Sequence, residues 1–248
     1  EADERRVVAE VAALLPPLVQ LELEGRYAAM LSHEPKNYAL LRYDGSLILR
    51  GVAFRSSRAE PFGEAFLRRA IGRLLVGDVG GVRDAYVETV IALRERAFRA
   101  RDVSSRVRLT KSPERYLASR DSRRELPYEA MLASGRPRWS VGDRVRVYRT
   151  TDGRGAVVSE DAETDRRDYD IEHYVRVLRD SYASRLARAF TPADFAAVFA
   201  DPDQLPLFPV ALDGVRPILT MRQMGSESNF SEKFDSDPIW GITRRPAP

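Results

Sequence analysis

The chain has 248 residues, enough for one large domain or two small ones, and its 44% hydrophobic content is sufficient for a real core. It contains no cysteine, which excludes disulfides, thiolate metal sites and a cysteine nucleophile. A formal net charge of +3 does not by itself imply a polyanionic partner. The longest apolar candidate, Val7 to Leu23, is interrupted by Glu10, Pro16-Pro17 and Gln20, so no membrane span is expected, and no signal-peptide pattern is present. These features suggest a soluble, cytoplasmic protein. Glu1 stands where an initiator Met would, which suggests a fragment or a processed product.

Val7, Val8, Val11, Ala12 and Leu15 recur at helical spacing, predicting a helix over Asp3 to Leu15 with Asp3 as N-cap and Pro16-Pro17 as its stop. Leu18 to Tyr27 alternates, with Leu21 and Leu23 on one face and Glu22 and Glu24 on the other, and reads as a strand. Pro35 suits a turn into a second strand, Tyr38 to Tyr43, and Asp44-Gly45 is a hairpin signal leading to Leu47 through Val52. The expected result is a small antiparallel sheet with the first helix packed upon it. Alternation along the strand would put Lys36 and Tyr38 on one side and Asn37 on the other. Two readings of that pair stand on the residues alone. One is a cation and a phenol placed for a phosphate backbone; the other is an edge-strand lysine that blocks aggregation beside a half-buried tyrosine.

After Arg58 the periodicity becomes helical. Pro61 opens a helix whose face is Phe62, Phe66, Leu67, Ala70, Ile71, Leu74 and Leu75; after Gly77-Asp78 a second carries Val79, Val82, Tyr86, Val90, Leu93 and Ala97. The basic stretch Arg94 to Arg101 fits a solvated helix end. Ser112 and Pro113 start a third helix, and Pro127 a fourth that Gly135 ends. Val145 and Val147 alternate with Arg144 and Arg146 in a strand that turns at Thr151-Asp152-Gly153 and returns through Ala156 to Val158. A long helix from Ile171 aligns Tyr174, Val175, Leu178, Tyr182, Leu186 and Phe190, and Pro192 opens a last short helix.

In order and spacing these segments resemble family B DNA polymerases. Leu21-Glu22-Leu23-Glu24, Lys36-Asn37-Tyr38 and Arg50-Gly51 ending at Arg55 are similar to the Leu-Glu-x-Glu strand, Lys-x-Tyr hairpin and Lys/Arg-Gly strand that follow the catalytic palm motifs of that family. Lys111 to Tyr116, Pro127 to Gly135, Gly142 to Tyr148 and Asp168 to Tyr174 resemble successive segments of its thumb. Bacterial DNA polymerase II is the nearest likeness within the family, through Gly135-Arg136-Pro137 and the Asp-Tyr…Glu-His-Tyr run. The resemblance covers about Leu14 to Phe208. Two departures stand out: Arg55-Ser56-Ser57 lacks the usual acidic residue, and Pro127-Tyr128 replaces a frequent Pro-His.

The resemblance implies an α+β arrangement: a palm edge over residues 1–57, a mostly helical thumb over 58–200 and a C-terminal tail over 201–248. In the family, the Lys and Tyr hold the template–primer duplex. The implied DNA contacts here are Lys36, Tyr38, Arg55 and Lys111, with Arg115 and Arg120 secondary. The two family segments that supply metal-binding carboxylates have no counterpart in this sequence, so no catalytic residue and no cofactor is assigned to the chain. Mg²⁺ is expected for an intact polymerase. Asp161-Ala162-Glu163 and Asp201-Pro202-Asp203 read as solvated loop acids, and His33 and His173 lack ligand-like companions. Gln204-Leu205-Pro206-Leu207-Phe208 resembles the pentapeptide that binds the bacterial sliding clamp, with Gln204, Leu205, Leu207 and Phe208 as contacts; folding of its apolar residues back on the thumb is the alternative. Primer–template DNA, the sliding clamp and upstream polymerase domains are the expected partners, in replication or repair. A non-catalytic polymerase-derived binding module, or a subunit of a split polymerase, is the competing reading.

Overall fold

The computed structural model describes residues 2–16, 18–135, 138–159, 165–203, 212–218 and 242–244. Helix α1 (Ala2–Ala13) forms where the apolar spacing requires it, but Asp3 lies inside it and none of its residues is buried. The expected packing of this helix on a sheet is therefore not found. Leu18 to Tyr27, read as a strand, is irregular, and Leu21 and Leu23 are exposed. Alternation supplies a strand pattern, but a strand persists only where its apolar face is covered. The first strand starts later, as β1 (Ala29–Glu34), where Ala29 and Leu31 are buried on one face.

From β1 the chain turns at Pro35–Lys36 into β2 (Asn37–Leu41), then through Asp44-Gly45 into β3 (Leu47–Arg50). Gly45 takes φ +82°, and the Ser46 amide donates to Asp44 Oδ1 at 2.8 Å, closing the second turn. The three strands are antiparallel neighbours. Their core face carries Ala29, Leu31, Ala39, Leu41 and Leu49.

Helices α2 (Pro61–Leu75) and α3 (Val79–Arg94) bury the faces that periodicity assigns to them as far as Leu93; Ala97, read as continuing the second, lies beyond its end. Asp78 caps α3 by accepting from the Gly81 amide at 2.8 Å. A short α4 (Ala100–Val103) leads to β4 (Ser105–Arg108), which the sequence reading lacks. Helix α5 (Pro113–Ser119) starts at Ser112, whose side chain accepts from the Arg115 amide, and α6 (Leu126–Ala133) follows. Strands β5 (Arg144–Arg149) and β6 (Gly155–Val157) complete a second antiparallel sheet of order β4-β5-β6. Helix α7 (Ile171–Val177) continues without a break through a π segment, Leu178–Tyr182, and a 3₁₀ segment, Ala183–Ala189. Helix α8 (Pro192–Val198) comes next, and β7 (Ile242–Arg244) pairs antiparallel with Ala29–Leu31, giving the first sheet the order β3-β2-β1-β7.

One apolar cluster joins the first sheet to α2, α3 and the α7–α8 region, crossing the expected boundary at residue 57. Gly63 explains part of the fit: a Cβ there would lie 2.1 Å from the Tyr182 ring. Glycine costs about 1 kcal/mol inside a helix, yet it admits a tyrosine whose hydroxyl donates to Glu60 Oε2 at 2.6 Å and accepts from the Glu60 amide at 3.0 Å. A second, aromatic cluster holds Leu109, Tyr116, Tyr128, Met131 and Trp139 beneath β5 and β6. The architecture is α+β, and no described helix is long and apolar enough to cross a membrane.

Candidate nucleic-acid interface

Lys36 sits at the tip between β1 and β2, in the left-handed conformation at φ +66°. That conformation costs an L-residue roughly 1–2 kcal/mol, so neighbours must hold it. Asn37 does: its buried side chain donates from Nδ2 to the Pro35 carbonyl at 3.2 Å, and its Oδ1 accepts from the Ala53 amide at 2.9 Å. Gly51 makes this possible. Its φ is +87°, and a Cβ would lie 2.3 Å from both Asn37 Oδ1 and the Lys36 carbonyl oxygen. The Arg-Gly pair of the sequence motif is thereby explained by close backbone approach rather than by chemistry.

Strand alternation does not extend to Lys36, which lies in the turn rather than in β2. Tyr38, inside the strand, faces Ser32 on one side and Arg50 on the other. Directly opposed residues share a face, so Tyr38 and the exposed Arg50 stand together on the side away from the core. Arg50 is a neighbour of Tyr38 that the sequence reading did not single out, although the Arg-Gly pair marked it. Lys36 and Arg55 are exposed as well, and Lys36, Arg50 and Arg55 have no carboxylate partner among the described residues. The loop that carries Arg55 is pinned from behind: the Arg185 guanidinium donates to the Ala53 carbonyl and lies over the Tyr182 ring, 4.7 Å from its centroid.

Neither a family model nor a curated protein matches this sequence. Among solved structures, the chain is similar to the family B DNA polymerase from the hyperthermophilic archaeon Pyrobaculum calidifontis, with a TM-score of 0.53 and 16% identity. The fold is family B polymerase-like. The likeness covers 83% of this chain and 25% of that one, so the chain spans about a quarter of that polymerase's length.

Lys111 is in a different situation from the hairpin cations in this polymerase-like fold. Its ammonium contacts Glu125 Oε1 at 2.6 Å, its amide donates to the Tyr128 hydroxyl, and its carbonyl accepts from Trp139 Nε1 at 2.8 Å. Tyr128 stacks on Tyr116 with ring centres 4.6 Å apart. The Tyr116 hydroxyl donates to Glu129 at 2.6 Å, and Arg120 adds two bonds of 2.8 Å to the same carboxylate. Bonding by Arg120 first, then Tyr116, lowers the Glu129 pKa to about 2, while burial raises that of the Tyr116 phenol. The Lys-x-Pro-x-x-Tyr motif thus builds a packed cluster in which the charges of Lys111 and Arg120 are already matched. Arg115 is exposed. Tyr128, which stands in for the frequent histidine, is buried and ties down residues 110 and 111.

Asp201 and Asp203 are not simply solvated acids. Both clasp Arg94 near the end of α3, at 2.9 Å and 2.7 Å. This fixes the path of the chain up to Asp203. Gln204, Leu205, Leu207 and Phe208, like Asp161 and Glu163, lie outside the described residues. Among the described residues no group of three His, Asp or Glu could hold a metal ion.

Proposed function

We propose that this chain is the palm-edge and thumb part of a DNA-directed DNA polymerase and grips the template–primer duplex without reading its sequence. The observation that supports this most directly is the preorganised hairpin, within a polymerase-like fold, that presents Lys36 exposed and without a carboxylate partner among the described residues, at the turn that leads into the strand of Tyr38. Cations aimed at phosphates gain affinity by releasing counterions, which suits an enzyme that must move over any sequence. Lys36, Tyr38 and Arg55 form the contact set in this reading, with Arg50 added because it opposes Tyr38. Lys111 joins them only if Glu125 releases it. The metal-held chemistry of nucleotidyl transfer, with Mg²⁺, belongs in this reading to carboxylates of the intact polymerase outside this segment. The test is binding of a labelled primer–template duplex over a salt series. Lys36→Ala should weaken binding and lower the slope of log affinity against log salt by about one; a folded variant with an unchanged slope would reject the reading.

The finer likeness to bacterial DNA polymerase II adds the sliding clamp as a partner, held through Gln204, Leu205, Leu207 and Phe208. Pro206 favours an extended backbone and would lower the ordering cost of docking such a peptide. A pull-down with the clamp of the same organism should retain the wild type and lose Leu207→Ala/Phe208→Ala; equal retention of both, or of neither, rejects this part.

A further inference from the structure

The second sheet carries an arrangement that folding alone does not favour. In the register of β4 and β5, Arg106 stands directly opposite Arg146 and Arg108 directly opposite Arg144. Residues two apart on a strand share a face, so all four guanidinium groups project from one side of the sheet. The other side holds Val107 opposite Val145, with Val145 packed on the aromatic cluster. Like charges directly opposed across strands destabilise a sheet, and here two such rungs are stacked in succession. Arg106, Arg108 and Arg144 are exposed, and none of the four lies within 4.0 Å of a carboxylate among the described residues. Among the described residues the Arg146 side chain reaches only the Ser104 carbonyl and hydroxyl, at 3.4 Å and 3.5 Å. Elsewhere in the same region Arg120 and Arg149 each hold an acid, at 2.8 Å and 3.1 Å. The quartet stands apart from that pattern.

Its position is equally informative. The Arg106 amide donates to the Arg58 carbonyl at 3.1 Å, so β4 adjoins the basic segment that follows the hairpin. The path from the hairpin to the quartet runs from Lys36 through the Asn37 side chain, which accepts from the Ala53 amide, along the chain past Arg55 to Arg58, whose carbonyl accepts from the Arg106 amide. Alternate residues of a strand are about 6.8 Å apart, which matches the axial rise of two nucleotides at about 3.4 Å each. We propose that the four-arginine face of β4 and β5 is a second nucleic-acid contact, which binds a phosphodiester backbone arriving from the hairpin. It shares a ligand class with the hairpin reading but uses none of its residues. Phosphates relieve the cross-strand repulsion, so the rungs, which lack a carboxylate partner among the described residues, are completed by the ligand.

The experiment uses the whole chain and a fluorescent primer–template duplex over a salt series, with thermal unfolding of each variant. Arg106→Gln/Arg144→Gln removes one charge from each rung. It should keep or raise the melting temperature, weaken binding at least tenfold at low salt, and reduce the log–log salt slope by about 1.8. Arg106→Lys/Arg144→Lys should retain the slope. If the double glutamine variant does not fold, Arg144→Gln alone should show half the slope change. Wild-type affinity in the glutamine variant overturns the proposal. So does a fall in melting temperature with unchanged affinity, which marks an internal ion-pair role, and so does quartet-dependent binding to phosphatidylserine vesicles in place of DNA. Lys36→Ala separates the two readings: if it has no effect while the quartet variant loses affinity, the hairpin reading fails and the second contact stands.

Discussion

Lys36 and Lys111 are singled out by the same family resemblance, yet the fold treats them in opposite ways. Lys36 sits on a turn held in an unfavourable left-handed conformation, exposed and without a partner among the described residues. Lys111 is packed beside stacked tyrosines, its ammonium on Glu125 and its carbonyl on Trp139. One lysine has its charge matched internally; the other has no such match among the described residues and sits at a cost in backbone strain. A motif identifies the residue type at a position, and only the surrounding contacts tell whether its charge is available. The same contrast separates Arg120, bound to Glu129, from the arginine rungs of β4 and β5.

The largest effect should come from breaking the support under Lys36. Gly51→Ala puts a methyl group onto Asn37 and the Lys36 carbonyl in a conformation that L-residues avoid, and should cost about 3 kcal/mol in denaturant unfolding. A loss below about 0.5 kcal/mol would mean that the tip is not fixed in this way.

On the paired side, Glu129→Gln should cost about 2 kcal/mol at neutral pH, because Arg120 and Tyr116 lose a charged acceptor. The Glu129 pKa falls from an ordinary 4.5 to about 2 on folding. Its stabilisation is therefore fully present above about pH 4.5 and is lost as the pH drops towards 2. Acid titration of stability should lose this component in the Gln variant; identical acid profiles would contradict the assignment.

Lys111→Met should lower stability by about 1 kcal/mol, since it leaves Glu125 unpaired, and should leave the salt slope of DNA binding intact. A slope reduced by about one would return Lys111 to the DNA-contact set. Primer extension by the isolated chain with Mg²⁺ or Mn²⁺ should not exceed a buffer blank. Extension that survives contaminant controls would require a metal-holding centre in this sequence.

Helices α2 and α3 were legible because long apolar stripes bury one face, and Pro61, Asp78 and Ser112 mark starts that capping chemistry explains. The first strand was misread because Leu21 and Leu23 alternate conspicuously, whereas β1 shows its core only a small Ala29 and Leu31. Strand β4 was hidden by its two arginines, whose outward charge outweighs Val107 in any hydropathy pattern. Uniform spacing from Tyr174 to Phe190 could not reveal the π and 3₁₀ segments, since side-chain periodicity barely registers a change of hydrogen-bond partner. At the candidate site, residue type and order were enough to nominate Lys36 and Tyr38. Arg50 needed the pairing register, and the quartet needed a strand that the sequence did not disclose.

In the function we propose, Lys36, without a partner among the described residues, is a cation held ready for a phosphate. The most direct measurement is the salt dependence of primer–template binding by wild type and Lys36→Ala, with folding checked by thermal unfolding. The account predicts a folded variant, weaker binding, and a log–log slope smaller by about one. A folded Lys36→Ala protein with unchanged affinity and slope would contradict it, and would make Lys36 an edge lysine that serves only to keep a hairpin from pairing with its neighbours.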